Sequence, residues 1–157
     1  DQSYFVVGNL GKPHSLKGFQ YINIEYFFRN FDLKEISLQI DDVNFVVEEF
    51  KKHLKNRNLI KFHSYDTIES ISKLRNMNVK INKDLLNTFI NKDNLPWPGF
   101  FTGQKLKNSN YKLLSYEVLS DIYFCKISGI EMSVPYNNNF FNFENNNLTL
   151  LESSLTV

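Results

Sequence analysis

The chain has 157 residues, of which 42% are hydrophobic and 15% aromatic, so it can bury a packed core and global disorder is disfavoured. Its net charge of +1 disfavours a strongly basic, sequence-blind nucleic-acid binder. Residues 1–92 carry 14 basic and 11 acidic side chains, whereas residues 93–157 carry 4 and 6. A first half of +3 and a second half of −2 fit a protein that touches both RNA and a basic protein.

Residue usage favours β structure. The chain contains no alanine and is rich in Phe, Ile, Tyr and Val, and branched and aromatic side chains suit a pleated sheet. The single cysteine, Cys125, lies in an apolar run, where we expect a small packed side chain and no catalytic thiol. No run is long enough to span a bilayer and no signal peptide is apparent. We expect no membrane contact and a cytoplasmic protein, or an organellar one after removal of a targeting segment.

Short strands are predicted along the first half. The strands are expected at residues 4–9, 18–26, 37–40, 43–50, 59–64 and 79–81. A helical turn is predicted at residues 30–36, and a turn at Asp41-Asp42. A helix is predicted over Ile68–Leu74, and the candidates for its ends are Asp66 or Thr67 as N-cap and Asn76 as stop. Six short strands with one helix indicate a closed or nearly closed barrel.

The loop between the first two strands carries positive charge on a constrained backbone. Gly11 and Gly18 permit φ > 0, and Pro13 fixes φ. A loop shaped in this way suits anion or partner recognition better than core packing. Its candidate contact residues are Lys12, His14 and Lys17. The alternative for His14 is a loop histidine that bonds its own backbone.

A second basic tract precedes and enters the strand at 59–64, where pairing with the strand at 43–50 places it near a hairpin tip. Its side chains are Lys51, Lys52, His53, Lys55, Arg57 and Lys61. Contacts to RNA phosphates require clustered cations, although a solvated turn has the same composition. We take Lys52, Lys55 and Arg57 as RNA-binding candidates.

Residues 91–99 interrupt the strand pattern with two prolines and a glycine, so we place a linker there between domains at 1–92 and 97–157. Strands are predicted beyond it at residues 104–106, 111–115, 116–119, 121–127, 131–136 and 148–151, with Ser128-Gly129 as a compact hairpin turn. The second half is therefore predicted to be another small β-barrel. Trp97 is interpreted either as an exposed anchor for a partner or as a plug between the barrels.

Residues 11–18, Gly-Lys-Pro-His-Ser-Leu-Lys-Gly, resemble the N-terminal motif of the RimM family of ribosome maturation factors, which has a glycine where this chain has Ser15. Residues 59–81 are similar to the family's next strand, short helix and turn, with Asn76 in place of its glycine. The segments Trp97–Gly103, Asp121–Cys125 and Gly129–Tyr136 resemble parts of the family's PRC-barrel domain.

One departure concerns the ribosome attachment site. The family usually has two tyrosines before the tryptophan that are implicated in attachment to the ribosomal subunit. This chain has Leu95 and Pro96, or Pro96 and Trp97, at those positions.

The resemblance implies a mainly β fold of two small barrels, a six-stranded translation-factor-like barrel and a PRC-barrel, joined by a short Pro-containing linker. It also implies a ribosome maturation factor that acts as a monomer without catalysis. Such a factor binds the small-subunit head protein numbered nineteen and immature 30S subunits, and helps 16S rRNA to be processed.

Catalysis has little support in the sequence. His14, His53 and His63 lack metal-ligand spacing, and no phosphate-binding or nucleophile motif is present. We therefore predict no enzyme activity, cofactor or metal. The alternatives are an RNA-modifying or hydrolytic enzyme that uses His14 with an acidic partner, and a two-barrel interaction module outside the ribosome.

Overall fold

The computed structural model describes residues 3–54, 56–90, 95–107 and 109–151. The chain divides into two compact units, residues 1–84 and residues 85–157, and the division falls within a 3₁₀ helix at Lys83–Phe89. Residues 91–94 of the predicted linker lie outside the described residues, and the predicted domain bounds stay a prediction. The mainly β architecture is confirmed.

The first unit is a closed antiparallel barrel. Its strands are β1 (Tyr4–Pro13), β2 (Gln20–Ile24), β3 (Ser37–Ile40), β4 (Val43–His53), β5 (Arg57–Phe62) and β6 (Asn78–Asn82). The strand order is β1-β2-β5-β4-β3-β6, and β6 pairs with β1 to close the ring. The predicted six-stranded barrel is therefore confirmed.

Alternating apolar residues fill the barrel, because successive side chains of a strand point to opposite faces. On β1 and β2, Leu10 lies opposite Ile22 and both are buried. On β5, Ile60 and Phe62 are fully buried as well. Register shifts in β1, and in β4 between Val47 and Glu49, bend these two long strands as a small barrel requires.

Two local expectations for the first unit are wrong. β1 continues through Gly11 to Pro13, and Gly11 does not use a positive φ. The helical turn expected at residues 30–36 is replaced by an earlier 3₁₀ turn at Tyr26–Phe28. Burial of Phe28 in the core and stacking of Phe27 on Phe31, with ring centroids 5.0 Å apart, favour this earlier position.

The predicted helix is present and begins where the sequence predicts, but it ends at Ser72, two residues before the predicted Leu74. Helix α1 spans Ile68–Ser72 and begins after Thr67, whose hydroxyl accepts from the backbone N–H of Ser70 at 3.2 Å. The hydroxyl of Ser70 in turn accepts a hydrogen bond from the backbone N–H of Thr67, and the two bonds form a capping box. Asn76 adopts a φ of 71°, the left-handed stop that was predicted.

Two-residue turns with positive φ join several strands. Asp41 and Asp42 have φ values of 51° and 63° and link β3 to β4, which confirms the predicted turn. Ser120-Asp121 and Asn145-Asn146 have the same backbone form. This form matches the right-handed twist of paired strands.

The second unit contains two antiparallel sheets among its described residues. β7 (Leu113–Leu119), β8 (Ile122–Ile127) and β9 (Val134–Pro135) form one sheet, and β10 (Phe141–Glu144) and β11 (Asn147–Leu150) form the other. A 3₁₀ helix spans Pro98–Phe101. That this unit is a PRC-barrel stays a prediction.

The sequence misplaced some elements of the second unit. Strands expected at 111–115 and 116–119 are the single strand β7, and the strand β10 was not predicted. The compact Ser128-Gly129 hairpin is wrong, because Cys125 pairs with Val134 and six residues connect β8 to β9. In the part of the chain that the structure describes, no helix is long and apolar enough to cross a membrane.

Candidate nucleic-acid interface

The loop after β1 is a short turn held by its own backbone. The His14 N–H donates to the carbonyl of Phe19 at 2.8 Å, and the Gly18 N–H donates to the carbonyl of Ser15 at 3.4 Å. The hydroxyl of Ser15 accepts from the Lys17 N–H at 3.3 Å. Because Ser15 does not have a positive φ, the backbone accepts a side chain where the family motif has glycine.

Gly18 closes this loop against the rest of the barrel. Its φ is +95°, and a Cβ there would lie 2.1 Å from the carbonyl oxygen of Tyr65. Both facts require glycine at this position. Lys12, His14 and Lys17 are exposed, so the fixed turn presents their polar groups to solvent.

The hairpin tip between β4 and β5 lies beside this loop. His53 pairs with Arg57 across the tip, and Asn56 turns the chain with a φ of 67°. Lys52 and Arg57 are exposed. The predicted contact residue Lys55 lies outside the described residues.

Aromatic rings join the loop to the tip. The imidazole rings of His14 and His53 have centroids 4.7 Å apart, and both rings contact Tyr21, at 5.2 Å and 5.8 Å. The guanidinium carbon of Arg57 lies 3.6 Å from the centroid of Tyr21, a close cation–π contact. The structure therefore brings together two basic segments that are far apart in the sequence.

We call the resulting region of the first unit the cationic surface. Its predicted members are Lys12, His14, Lys17, Lys52 and Arg57. Lys51 and His53 of the predicted basic tract also belong to it, and the structure adds Tyr21. The Lys51 ammonium lies 4.5 Å from the centroid of Phe19. Sequence reasoning missed Tyr21, because polar Gln20 gave no sign of facing the core; the structure shows Gln20 and Ile22 buried and Tyr21 between them on the outward face.

Lys61 does not belong to this surface, although the basic tract included it. Its side chain is 8% exposed, and its ammonium contacts Asp66 at 2.6 Å and Glu48 at 3.0 Å. Burial lowers the pKa of Lys61, but hydrogen bonds to Asp66 and Glu48 outweigh it, so the pKa is raised. This lysine stabilises the barrel and is not available to a phosphate.

The two residues of the second unit that the sequence analysis singled out, Trp97 and Cys125, are deeply buried. Trp97 is 2% exposed and packs against Phe100 and Tyr116 of its own unit, so the expectation of an exposed anchor is wrong. The sequence could not show that Gly99 leaves room for the indole, where a Cβ would lie 2.2 Å away. Cys125 is fully buried, as predicted, and burial raises its thiol pKa to about 12.

Comparison with known proteins decides the family. A sequence model of the RimM N-terminal domain matches residues 5–86, which is 82 of the 157 residues. The chain belongs to the RimM family. The region that matches RimM contains Lys12, His14, Lys17, Lys52 and Arg57 but not Trp97.

Two solved structures of RimM proteins are similar to the chain. The N-terminal domain of RimM from Thermus thermophilus is 12% identical, with 53% of this chain and 93% of that chain covered and a TM-score of 0.45. A protein described as a putative 16S ribosomal RNA processing protein RimM of Pseudomonas aeruginosa is 8% identical, with 94% of this chain and 96% of that chain covered and a TM-score of 0.44. No curated protein matches the sequence. Membership of RimM therefore rests on the match to residues 5–86.

Proposed function

We propose that this RimM protein is a ribosome maturation factor that assists assembly of the 30S head and processing of 16S rRNA. It binds the head-domain ribosomal protein numbered nineteen and immature 30S subunits, and it acts in the cytoplasm. Membership of the RimM family supports this function. The observation that carries the RNA contact is the meeting of the loop and the hairpin tip at His14 and His53.

The cationic surface suits an RNA backbone. Lys12 and Lys52 are exposed on strands β1 and β4, and Lys17 is exposed in the turn between β1 and β2, where their ammonium groups can pair with phosphates. The net charge of the first half is only +3, so the attraction is moderate and falls with salt. Moderate affinity suits a factor that must leave once the subunit is mature.

The second unit suits a basic protein partner. Residues 93–157 have a net charge of −2, and the whole unit, residues 85–157, which also contains Lys92, has a net charge of −1. The acidic side chains that the structure describes there are all exposed, namely Glu117, Asp121, Glu131 and Glu144. Opposite charges across an interface steer association and select the partner.

The proposed function requires no catalytic step at His14. Among the described residues its ring contacts are Tyr21 and His53, and it forms no ion pair with a carboxylate. Glu35 pairs instead with His63, at 2.7 Å. The alternative of an enzyme that uses His14 with an acidic partner therefore lacks that partner among the described residues.

Capture from a matching cell lysate at low and moderate salt tests the proposal. The tagged chain should retain immature 30S subunits and the head protein, with less retained at moderate salt. An eluate that lacks both at low salt would contradict the proposed function.

Charge reversal locates the contact. Lys12→Glu with Lys17→Glu should weaken subunit association and leave the folded state intact, as judged by circular dichroism. The matched control is Lys34→Glu with Lys80→Glu, which makes the same charge change outside the cationic surface. Cosedimentation equal to that of the unchanged protein would refute the role of the loop.

A further inference from the structure

A cavity of about 210 Å³ lies beside the cationic surface, where strands β2 and β5 separate. Their register ends at Ile22 opposite Asn58, while β2 continues to Ile24 and the hairpin tip turns away through Asn56. The separation of the strands opens a recess in the barrel wall. The recess is smaller than the roughly 300–1,000 Å³ of a typical small-molecule site, so it suits one small group.

The recess is positively charged. Lys12, Arg29 and Arg57 line it, and no carboxylate side chain does. In residues 3–54 and 56–90, none of these three cations forms an ion pair with an acidic side chain. Stacking on Tyr21 holds the Arg57 guanidinium by its face, which leaves the N–H groups at its edge free to bond an oxyanion.

Two donors at the recess have no protein acceptor. Asn58 lines it and is only 3% exposed, and its Nδ2 has no hydrogen-bond partner. The Nε of Arg29 is likewise buried without an acceptor. Buried donors are almost always bonded, so this wall is built for an acceptor that the polypeptide does not supply. A phosphate offers several acceptor oxygens and a negative charge.

A second depression continues from the first. It shares Arg29 and is lined also by Phe50, Lys51 and Lys52, whose lysines give it positive charge. Its one carboxylate is Asp32, which accepts the backbone N–H of Lys34 at 3.0 Å. Two adjacent cationic depressions that share an arginine match the repeating phosphates of a single strand, with Phe50 as a candidate stacking surface for a base.

We propose that the recess binds one backbone phosphate of single-stranded RNA, held by Arg29, Arg57 and Asn58, and that the strand continues over Arg29 towards Lys51 and Lys52. This inference rests on the proposed function in taking RNA as the source of the phosphate. The recess itself is defined by charge and unpartnered donors, so free phosphate shares the recognition chemistry.

Nuclear magnetic resonance of the full chain tests the recess with two probes, inorganic phosphate and a six-nucleotide oligouridylate. The oligonucleotide should shift the signals of the Asn58 side-chain amide and the Arg29 Nε–H, and inorganic phosphate should compete for the same signals. If only inorganic phosphate shifts them, the RNA source is overturned. If neither probe shifts them, the phosphate site is overturned.

Three single variants and one double variant sharpen the test. Arg29→Gln and Arg57→Gln should each weaken oligonucleotide binding by about tenfold, because each removes a charge-assisted hydrogen bond to the phosphate. The double variant Arg29→Gln with Arg57→Gln, which leaves that phosphate without either arginine, should reduce the magnitude of the slope of log affinity against log salt by about 0.7, the value for one phosphate neutralised on a single strand. Asn56→Asp places a carboxylate at the exposed rim, which cannot disturb the core, and should also weaken binding.

The control is Arg75→Gln, since Arg75 is the third arginine of the chain, is exposed and does not line the recess. Equal binding by Arg29→Gln, Arg57→Gln and Arg75→Gln would overturn the proposal. Failure of the proposed function looks different, because the lysate capture would then lack subunits while oligonucleotide binding at the recess persisted.

Discussion

The ammonium of Lys61 lies 2.6 Å from the carboxylate of Asp66, and the lysine is buried while the aspartate is exposed. The pair ties the end of β5 to the residue before the Thr67 cap of helix α1. Because Glu48 of β4 also contacts Lys61 at 3.0 Å, one cation links three elements of the barrel. A buried lysine in this position stabilises the fold only while it is charged.

Lys61→Met should destabilise the first unit by about 1.5 kcal/mol at neutral pH, the scale of a hydrogen bond to a charged group. The folded-state pKa of Lys61 is raised, so its contribution is complete below an unfolded lysine pKa of about 10.4 and is lost as pH rises through the raised pKa. Denaturant unfolding at several pH values from neutral to strongly alkaline measures this. Lys73→Met, at an exposed lysine, is the control. A stability difference between wild type and Lys61→Met that grows with pH would contradict the assignment.

Gly18→Ala should destabilise the first unit by more than about 2 kcal/mol, because strain at positive φ is added to a steric overlap. A Cβ at Gly18 would lie 2.1 Å from the carbonyl oxygen of Tyr65. Gly103 has a similar φ of +81° but nothing within 4 Å, so Gly103→Ala should cost only about 1 kcal/mol. Circular dichroism measures the unfolding of the Gly18→Ala variant, and Trp97 fluorescence measures the unfolding of the second unit in the Gly103→Ala variant. Equal destabilisation by the two changes would show that the overlap has no effect.

Asp42→Gly should stabilise the first unit by about 0.5–1 kcal/mol, because glycine adopts the left-handed conformation without a Cβ penalty. Asp42 has a φ of 63° at the second position of its two-residue turn. The control is Asp32→Gly, since Asp32 has no positive φ and its carboxylate accepts the Lys34 N–H. That change should destabilise by about 0.5–1 kcal/mol. Thermal melting of both variants checks that Asp42→Gly raises the melting temperature and that Asp32→Gly lowers it.

The barrel was predictable because local sequence patterns indicate most of its strands and turns. Apolar side chains alternate with polar ones along β3 and β6, and the Asp41-Asp42 turn and the Thr67 cap mark where elements end. The strand β10 was missed because Asn142 and Glu144 interrupt its two phenylalanines, and asparagine is depleted in strands. Local patterns thus identified most elements of the first unit and fewer of the second.

The candidate site was only partly predictable. The basic residues of the loop and the tip were visible in the sequence, but their contact depends on pairing between β2 and β5, residues that are far apart along the chain. The recess also needs Arg29, whose place follows from the 3₁₀ turn at Tyr26–Phe28. Such juxtapositions arise from closure of the barrel and leave no local trace.

Cys125 should be inert towards a thiolate-specific reagent at pH 8 in the folded protein. Its side chain is fully buried, and burial raises the pKa of the thiol to about 12, so almost no thiolate is present. One thiol per chain should react once the protein is unfolded in denaturant. Timed labelling with and without denaturant measures the difference. Rapid labelling of the folded protein would contradict the burial of this residue.

Trp97→Ala should destabilise the second unit by about 3–5 kcal/mol, the usual cost of truncating a buried aromatic side chain. The indole is 2% exposed and contacts Phe100 at 5.1 Å between ring centroids, so its removal leaves a large cavity. Leu114→Ala, in the same unit at a residue 46% exposed, should change stability by less than about 0.5 kcal/mol. Denaturant unfolding followed by circular dichroism compares the two. In the unchanged protein, acrylamide should quench Trp97 fluorescence only weakly, and strong quenching would restore the interpretation of Trp97 as an exposed anchor.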